Sequence, residues 1–174
     1  MTKAQSIEHA IRHALYLRIY MSNRLSWHRY FINLANAVAS RSTCVRRHVG
    51  AVAVNSTNHK VIGTGYNGVP SGVEHCTDET CLRNRLGIKS GEHPEVTRAL
   101  HAEQNLVAQH GDSLMGNTVY CTNQPCVSCF KSLIAAGVTT VVWEHTYDDP
   151  IAQQLMTEWG SVYKEEEYHV FVKR

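Results

Sequence analysis

His101-Ala102-Glu103 and Pro125-Cys126-Val127-Ser128-Cys129 are the segments of this chain whose side chains could do chemistry together. They offer one imidazole, two thiolates and one carboxylate. An imidazole and two thiolates make a three-ligand zinc site, the arrangement that leaves a fourth position to water. Zinc lowers the pKa of such a water to about 7 and makes hydroxide available at neutral pH. Cys126 and Cys129 are spaced i, i+3 at a predicted helix start, which puts both sulfurs on one face. The positive end of that helix favours the thiolate form. Glu103 lies about 200° round a regular helix from His101, so the two would not share a helical face. In a looser first turn Glu103 reads as a neighbour of the metal-bound water, a general acid/base and not a ligand. Taken alone, a CxxC also fits a redox pair or half of a zinc ribbon, and an HxE is common on helix surfaces. A ribbon needs a second CxxC, which this chain lacks. A purely structural zinc would need a fourth ligand.

The elements that must position these groups can be read from patterning. Residues 6–20 carry Ile7, Ile11, Leu15 and Ile19 at helical spacing. Ser26 is placed to cap a second helix with Phe31, Leu34, Ala35 and Val38 on one face. Residues 49–55 read as a buried strand, Asn58-His59 as a turn and 61–66 as the hairpin partner. Residues 67–94 are rich in Gly, Pro, Cys and charge without periodicity, and loops this long are usually functional or metal-stapled. A helix is predicted over 97–109, ended by His110-Gly111, then a strand over 118–122. A helix over 125–136 has Pro at its start and Gly137 past its end. A strand over 138–143, a helix over 151–159 and a last strand over 162–172 follow. This alternation predicts a three-layer α/β/α domain with a mixed central sheet of about five strands. One domain spans 1–174, with 1–25 as an N-terminal helical extension.

The chain of 174 residues has 43% hydrophobic and 18% charged residues, the profile of an ordinary soluble globular protein. Its formal net charge is +2, with no dense Lys/Arg tract. That disfavours a groove for a nucleic acid polymer, though a few arginines could hold one nucleotide's phosphate. No apolar run approaches the roughly 20 residues of a membrane span. The first residues lack a signal-peptide core. A cytoplasmic protein is expected (host cytoplasm if viral), in which the six cysteines serve as metal ligands or buried thiols and not as disulfides.

Several further segments bear a resemblance to the deoxycytidylate (dCMP) deaminases of the cytidine/deoxycytidylate deaminase family. These are Arg41-Ser42-Thr43-Cys44-Val45-Arg46-Arg47-His48-Val49-Gly50-Ala51; Thr64-Gly65-Tyr66-Asn67-Gly68-Val69-Pro70-Ser71-Gly72 with His75-Cys76; the HAE with Asn105; the PCxxC; Ala136-Gly137-Val138; and Thr146-Tyr147-Asp148. HAE and PCxxC are shared across zinc-dependent cytidine-type deaminases. TGYNGxPxG narrows the likeness to the dCMP branch. The resemblance implies zinc-dependent hydrolysis of dCMP to dUMP and ammonia, feeding thymidylate synthesis, with Glu103 catalytic and His101, Cys126 and Cys129 on zinc. It also implies Arg41 at the substrate phosphate, Asn67 on the deoxyribose side and Tyr147 bordering the nucleotide. Gly68 and Gly72 fall where family members bind a triphosphate effector, which implies dCTP activation and dTTP inhibition with Mg²⁺ on the phosphates. A homohexamer is implied as well.

Some members of the family, notably phage-type enzymes, carry an additional structural zinc, which the resemblance would place here on Cys44, Cys76 and His93, with Cys81 or His75 as a candidate fourth ligand. The competing reading makes Cys44 a buried thiol and Cys76 and Cys81 incidental. Cys121 reads as core. Alternatives to dCMP are dCTP, another cytosine nucleotide, or a noncatalytic nucleotide-binding relative. An intact Glu103 speaks against the last, because a binding module needs no proton shuttle.

Overall fold

The structure is a computed structural model and describes residues 24–89 and 92–174. The helix predicted over 6–20 lies outside the described residues. Helix α1, Trp27–Ala39, starts where expected, with Ser26 Oγ accepting the N–H of Arg29 at 3.2 Å. Its buried face is Phe31, Ile32, Ala35 and Ala39, with Leu34 and Val38 half-buried at its edge.

Six strands form one sheet in the order β2-β1-β3-β4-β6-β5. They are β1 Gly50–Val54, β2 Val61–Tyr66, β3 Thr118–Asn123, β4 Thr140–His145, β5 Gly160–Glu165 and β6 Tyr168–Lys173. Only β3 and β4 run parallel, joined by a helical crossover; the other neighbours are antiparallel. The pleat's period of two sorts side chains to the two faces. Val52, Val54, Tyr120, Val142, Tyr168 and Val170 pack under α1. Ala51, Ala53, Val119, Cys121, Val141, Trp143 and Phe171 pack under the helices of the other face. Those helices are α3 Ala102–His110, α4 Val127–Ala135 and α5 Pro150–Trp159. The three-layer mixed architecture is therefore as expected, and Cys121 is core. No described helix is long and apolar enough to cross a membrane.

Several boundaries differ from the sequence reading. The last strand, expected over 162–172, is a hairpin of β5 and β6, so the sheet has six strands and not about five. Its turn holds Glu166 at φ 54. Glu-Glu gives none of the Gly, Asn or Pro chemistry that marks such turns, and the ladder from Gly160↔Lys173 to Glu165↔Tyr168 imposes it. The helix predicted from residue 97 begins at Ala102. Leu100 exchanges two backbone hydrogen bonds with Gly68 (2.9 and 3.1 Å), which holds the preceding segment extended. The strand expected over 138–143 starts at Thr140. Gly137 (φ 83) and Val138 instead close α4, their N–H groups donating to the carbonyls of Ile134 and Leu133 at 3.1 Å each. Within the long loop lie a four-residue helix, α2 Leu82–Arg85, and a 3₁₀ turn, Pro94–Val96.

Candidate metal centre and active site

The three proposed ligands sit at the N-termini of two helices. His101 is the N-cap of α3, and its N–H donates to Gln104 Oε1 at 2.8 Å. Cys126 is the N-cap of α4, and Cys129 lies in its first turn. His101 Nδ1 is 3.5 Å from Cys126 Sγ and 3.3 Å from Cys129 Sγ. With Zn–S near 2.3 Å and Zn–N near 2.0–2.1 Å, a tetrahedral ion separates N and S ligands by about 3.5 Å. The donor set therefore fits zinc. Among the described residues this is the trio of metal-ligating side chains whose ligand atoms all lie within 4.8 Å of one another. A hydrogen bond from Cys129 holds the Cys126 thiol down at about 4, while the same bond and burial push Cys129 up.

Glu103 is buried, 3% exposed. Burial raises its carboxyl above the ordinary range, against the pull of His101. Cys129 beside it works in the other direction and lowers it. The helical-face objection to pairing Glu103 with His101 dissolves because His101 is extended (φ −72, ψ 160) and not helical. The carboxyl and the three ligands meet beside one cavity of about 350 Å³, lined by His101, Glu103 and Cys126.

The scaffold that brings these groups together is specific. Gly65 faces α3 so closely that a Cβ there would collide with the Ala102 carbonyl and the Leu106 backbone. The Asn105 amide donates to the Tyr66 carbonyl at 2.8 Å, pinning α3 to the end of β2. One carboxylate, Asp149, caps two helices: Oδ1 accepts from Ala152 of α5 (2.9 Å) and Oδ2 from Val127 of α4 (3.1 Å). The Asp149-Pro150 pair is a helix-start signal legible in sequence, though its reach to α4 is not.

The remaining candidates are placed as follows. Asn67 lines the cavity, 7% exposed. Its Oδ1 accepts from Val49 N–H (2.8 Å) and its Nδ2 donates to the Arg47 carbonyl (2.7 Å), so it also staples the 42–49 segment to β2. Tyr147 lines the cavity with its hydroxyl pushed well up by burial, and Arg47 lies over its ring at 6.0 Å. Arg41 is exposed and does not line this cavity. Gly68 is buried against Thr43, and both its backbone groups are engaged with Leu100. Gly72 is exposed, at φ 82, with open space around it. Cys44, Cys76 and Cys81 all line the cavity. No metal-ligand trio forms among them in the described residues, and His93 is turned to Glu95 at 2.9 Å. Sequence patterning missed Arg46, Arg83, Arg98 and Gln124, which all line the cavity; Arg46 lies within the segment 41–51 that bears the family resemblance, and no periodicity or motif marks the other three.

Residues 25–145 match the cytidine and deoxycytidylate deaminase zinc-binding region. The deoxycytidylate deaminase of Schizosaccharomyces pombe is 35% identical over 72% of this chain and 39% of that protein. The chain thus spans about two fifths of that relative's length. The deoxycytidylate deaminase of Mycobacterium phage D29 is 40% identical over 70% of this chain and 96% of that one. A crystal structure of dCMP deaminase from cyanophage S-TIM5, in complex with dCMP and dUMP, superposes with a TM-score of 0.55 at 30% identity. It covers 73% of this chain and 90% of its own.

Proposed function

The chain belongs to the cytidine and deoxycytidylate deaminase family, and on that premise we propose that it hydrolyses dCMP to dUMP and ammonia. The observation that carries this reading is the buried Glu103 carboxyl beside the His101, Cys126 and Cys129 trio. A zinc ion on that trio would supply Lewis-acid activation of water. The chain's own part is proton movement. Glu103 takes a proton from the attacking water, delivers it to ring N3 and then assists departure of the 4-amino group as ammonia. Its burial keeps the protonated form accessible, and Asn67 and Tyr147 border the space the nucleotide would fill. The test is ammonia release from dCMP, dCTP, cytidine and deoxycytidine by the zinc-loaded protein. Turnover fastest on dCMP is expected; no release from any of the four would overturn the reading.

The same proposal extends to control. By family resemblance the enzyme is a homohexamer in the cytoplasm, activated by dCTP and inhibited by dTTP with Mg²⁺. The exposed turn at Gly72 supports this, because a left-handed glycine with open space lets backbone N–H groups reach a phosphate. Gly68 has no N–H to spare, so effector contacts fall to Gly72 and its neighbours. Such a ligand acts only if it binds the two states unequally. Rates on dCMP across a range of each triphosphate should shift in opposite directions, and Gly72→Val should blunt both responses. Hyperbolic kinetics insensitive to either would remove the switch, and light scattering reads the number of chains.

A further inference from the structure

Gln124 lines the cavity two residues before Cys126 and is 3% exposed. Its backbone N–H donates to the His145 carbonyl at 2.8 Å, just past the Asn123↔His145 pair that ends the parallel β3–β4 ladder. Pro125, next in sequence, favours extended backbone at Gln124. The residue thus stands at the carboxyl ends of the sheet's two parallel strands, where open α/β sheets place their ligands. Its side-chain donor is unused: Nε2 is buried and has no hydrogen-bond partner among the described residues. Of the buried side-chain atoms in that state, it is the one on the segment that carries Cys126 and Cys129. Neighbouring polar groups of the wall are engaged. Asn123 Oδ1 accepts from Thr122 Oγ1 at 3.1 Å, the Asn67 amide serves Val49 and Arg47, and both Asp149 oxygens accept helix N–H groups. Buried donors are nearly always paired, so an orphan on a cavity wall points to an acceptor that arrives with the ligand.

The end of the cavity at His101, Glu103 and Cys126 takes C4 of the pyrimidine, because water attacks there and Glu103 serves N3 and the 4-amino group. That narrows the acceptor. The 4-amino group of cytosine is a donor, its lone pair being shared with the ring, and N3 receives its proton from Glu103. The oxygen that replaces ammonia on C4 is an acceptor, and it is present only once the reaction is under way. A donor already stripped of water loses none when that oxygen forms, so the new bond is a gain and not an exchange. A bond made only after attack favours the later state over the bound substrate.

We infer that the Gln124 amide donates to the oxygen delivered to C4, and so binds the product's carbonyl and not the substrate's amino group. This rests on the deaminase reading above. The experiment compares the zinc-loaded wild type with Gln124→Met and Gln124→Leu, which keep the bulk and lose the donor. Zinc content and thermal melting are measured alongside. The single-turnover rate on dCMP should fall about 10-fold in both variants, the scale of one buried hydrogen bond. The inhibition constant of dUMP should rise by a similar factor, while KM for dCMP holds within about twofold. A parallel rise in KM for dCMP would give the amide to a group that substrate and product share, such as the 2-carbonyl, and would overturn the assignment. An unchanged rate with unchanged dUMP inhibition would overturn it too. So would zinc loss in both variants, which would make Gln124 a support of the metal site. If the wild type deaminates nothing, the proposed function fails by itself. Calorimetry then decides the inference: weaker dUMP binding with dCMP binding unchanged in Gln124→Met upholds it, and any other pattern, absence of binding included, overturns it.

Discussion

Replacing Glu103 by Gln removes a proton carrier and leaves size and burial nearly unchanged. Glu103 is not among the three metal-ligating groups, so the Gln variant should bind zinc like the wild type. Turnover of dCMP should fall by about 10²–10⁴-fold, the usual worth of a positioned acid/base. Near-normal turnover with full zinc content would remove Glu103 from the mechanism. Cys129→Ala makes the complementary point. With one sulfur gone, His101 and Cys126 leave only two ligands, and zinc content by atomic absorption should drop by one equivalent. Full occupancy in that variant would place the metal elsewhere.

Helix α3 carries both His101 and Glu103, so its seat on β2 decides the site. That seat depends on Gly65, the one residue type without a Cβ to collide with the Ala102 carbonyl. Gly65→Val should push α3 outward and cost about 1–3 kcal/mol, as overpacked sites do. In a domain of this size that lowers Tm by roughly 2–12 °C. Activity should fall further than stability explains, because the carboxyl shifts with the helix. Wild-type melting and turnover in the Gly65→Val variant would show that the contact is soft. Asp149→Ala tests the other helix pair. Losing both cap bonds should cost about 1–2 kcal/mol and loosen the first turn of α4, which carries Cys126 and Cys129. Thermal melting and zinc affinity, measured together, check it.

Over the whole molecule, the candidate metal ligands bring together the starts of α3 and α4, which lie on the same face of the sheet. Because a ligand that binds only the folded state stabilises it by mass action, stripping the metal with a chelator should lower Tm. Activity should be lost in parallel, and added Zn²⁺ should restore both. An unchanged melting curve after complete metal removal would mean that the sheet and its two apolar layers hold the helices unaided. The opposite face depends on α1 instead. There Arg29 pairs with Glu144 of β4 (3.3 Å) and with Glu167 of the β5–β6 turn, at the edge of the apolar layer built on Phe31, Ile32 and Ala35.

The amino-acid sequence by itself picked out the His101, Cys126 and Cys129 trio that the fold brings together and the buried Glu103 beside it, because zinc chemistry restricts residue type and spacing. It also determined β2, β3 to within a residue and the cap of α1, whose signals lie in neighbouring residues. Local patterning could not show that Leu100 pairs with Gly68, so it started α3 too early and made His101 helical. Nor could it divide the last strand, where a Glu-Glu turn is held by cross-strand pairing and not by its own propensity. The tertiary structure decided which side chains line the cavity. Arg41, just after α1, is exposed and does not line the cavity, while Arg83, in a loop with no period, lines the cavity that His101 lines. Cavity walls are assembled from segments that fold against one another. Their membership is a property of the packing, which no single stretch of sequence encodes.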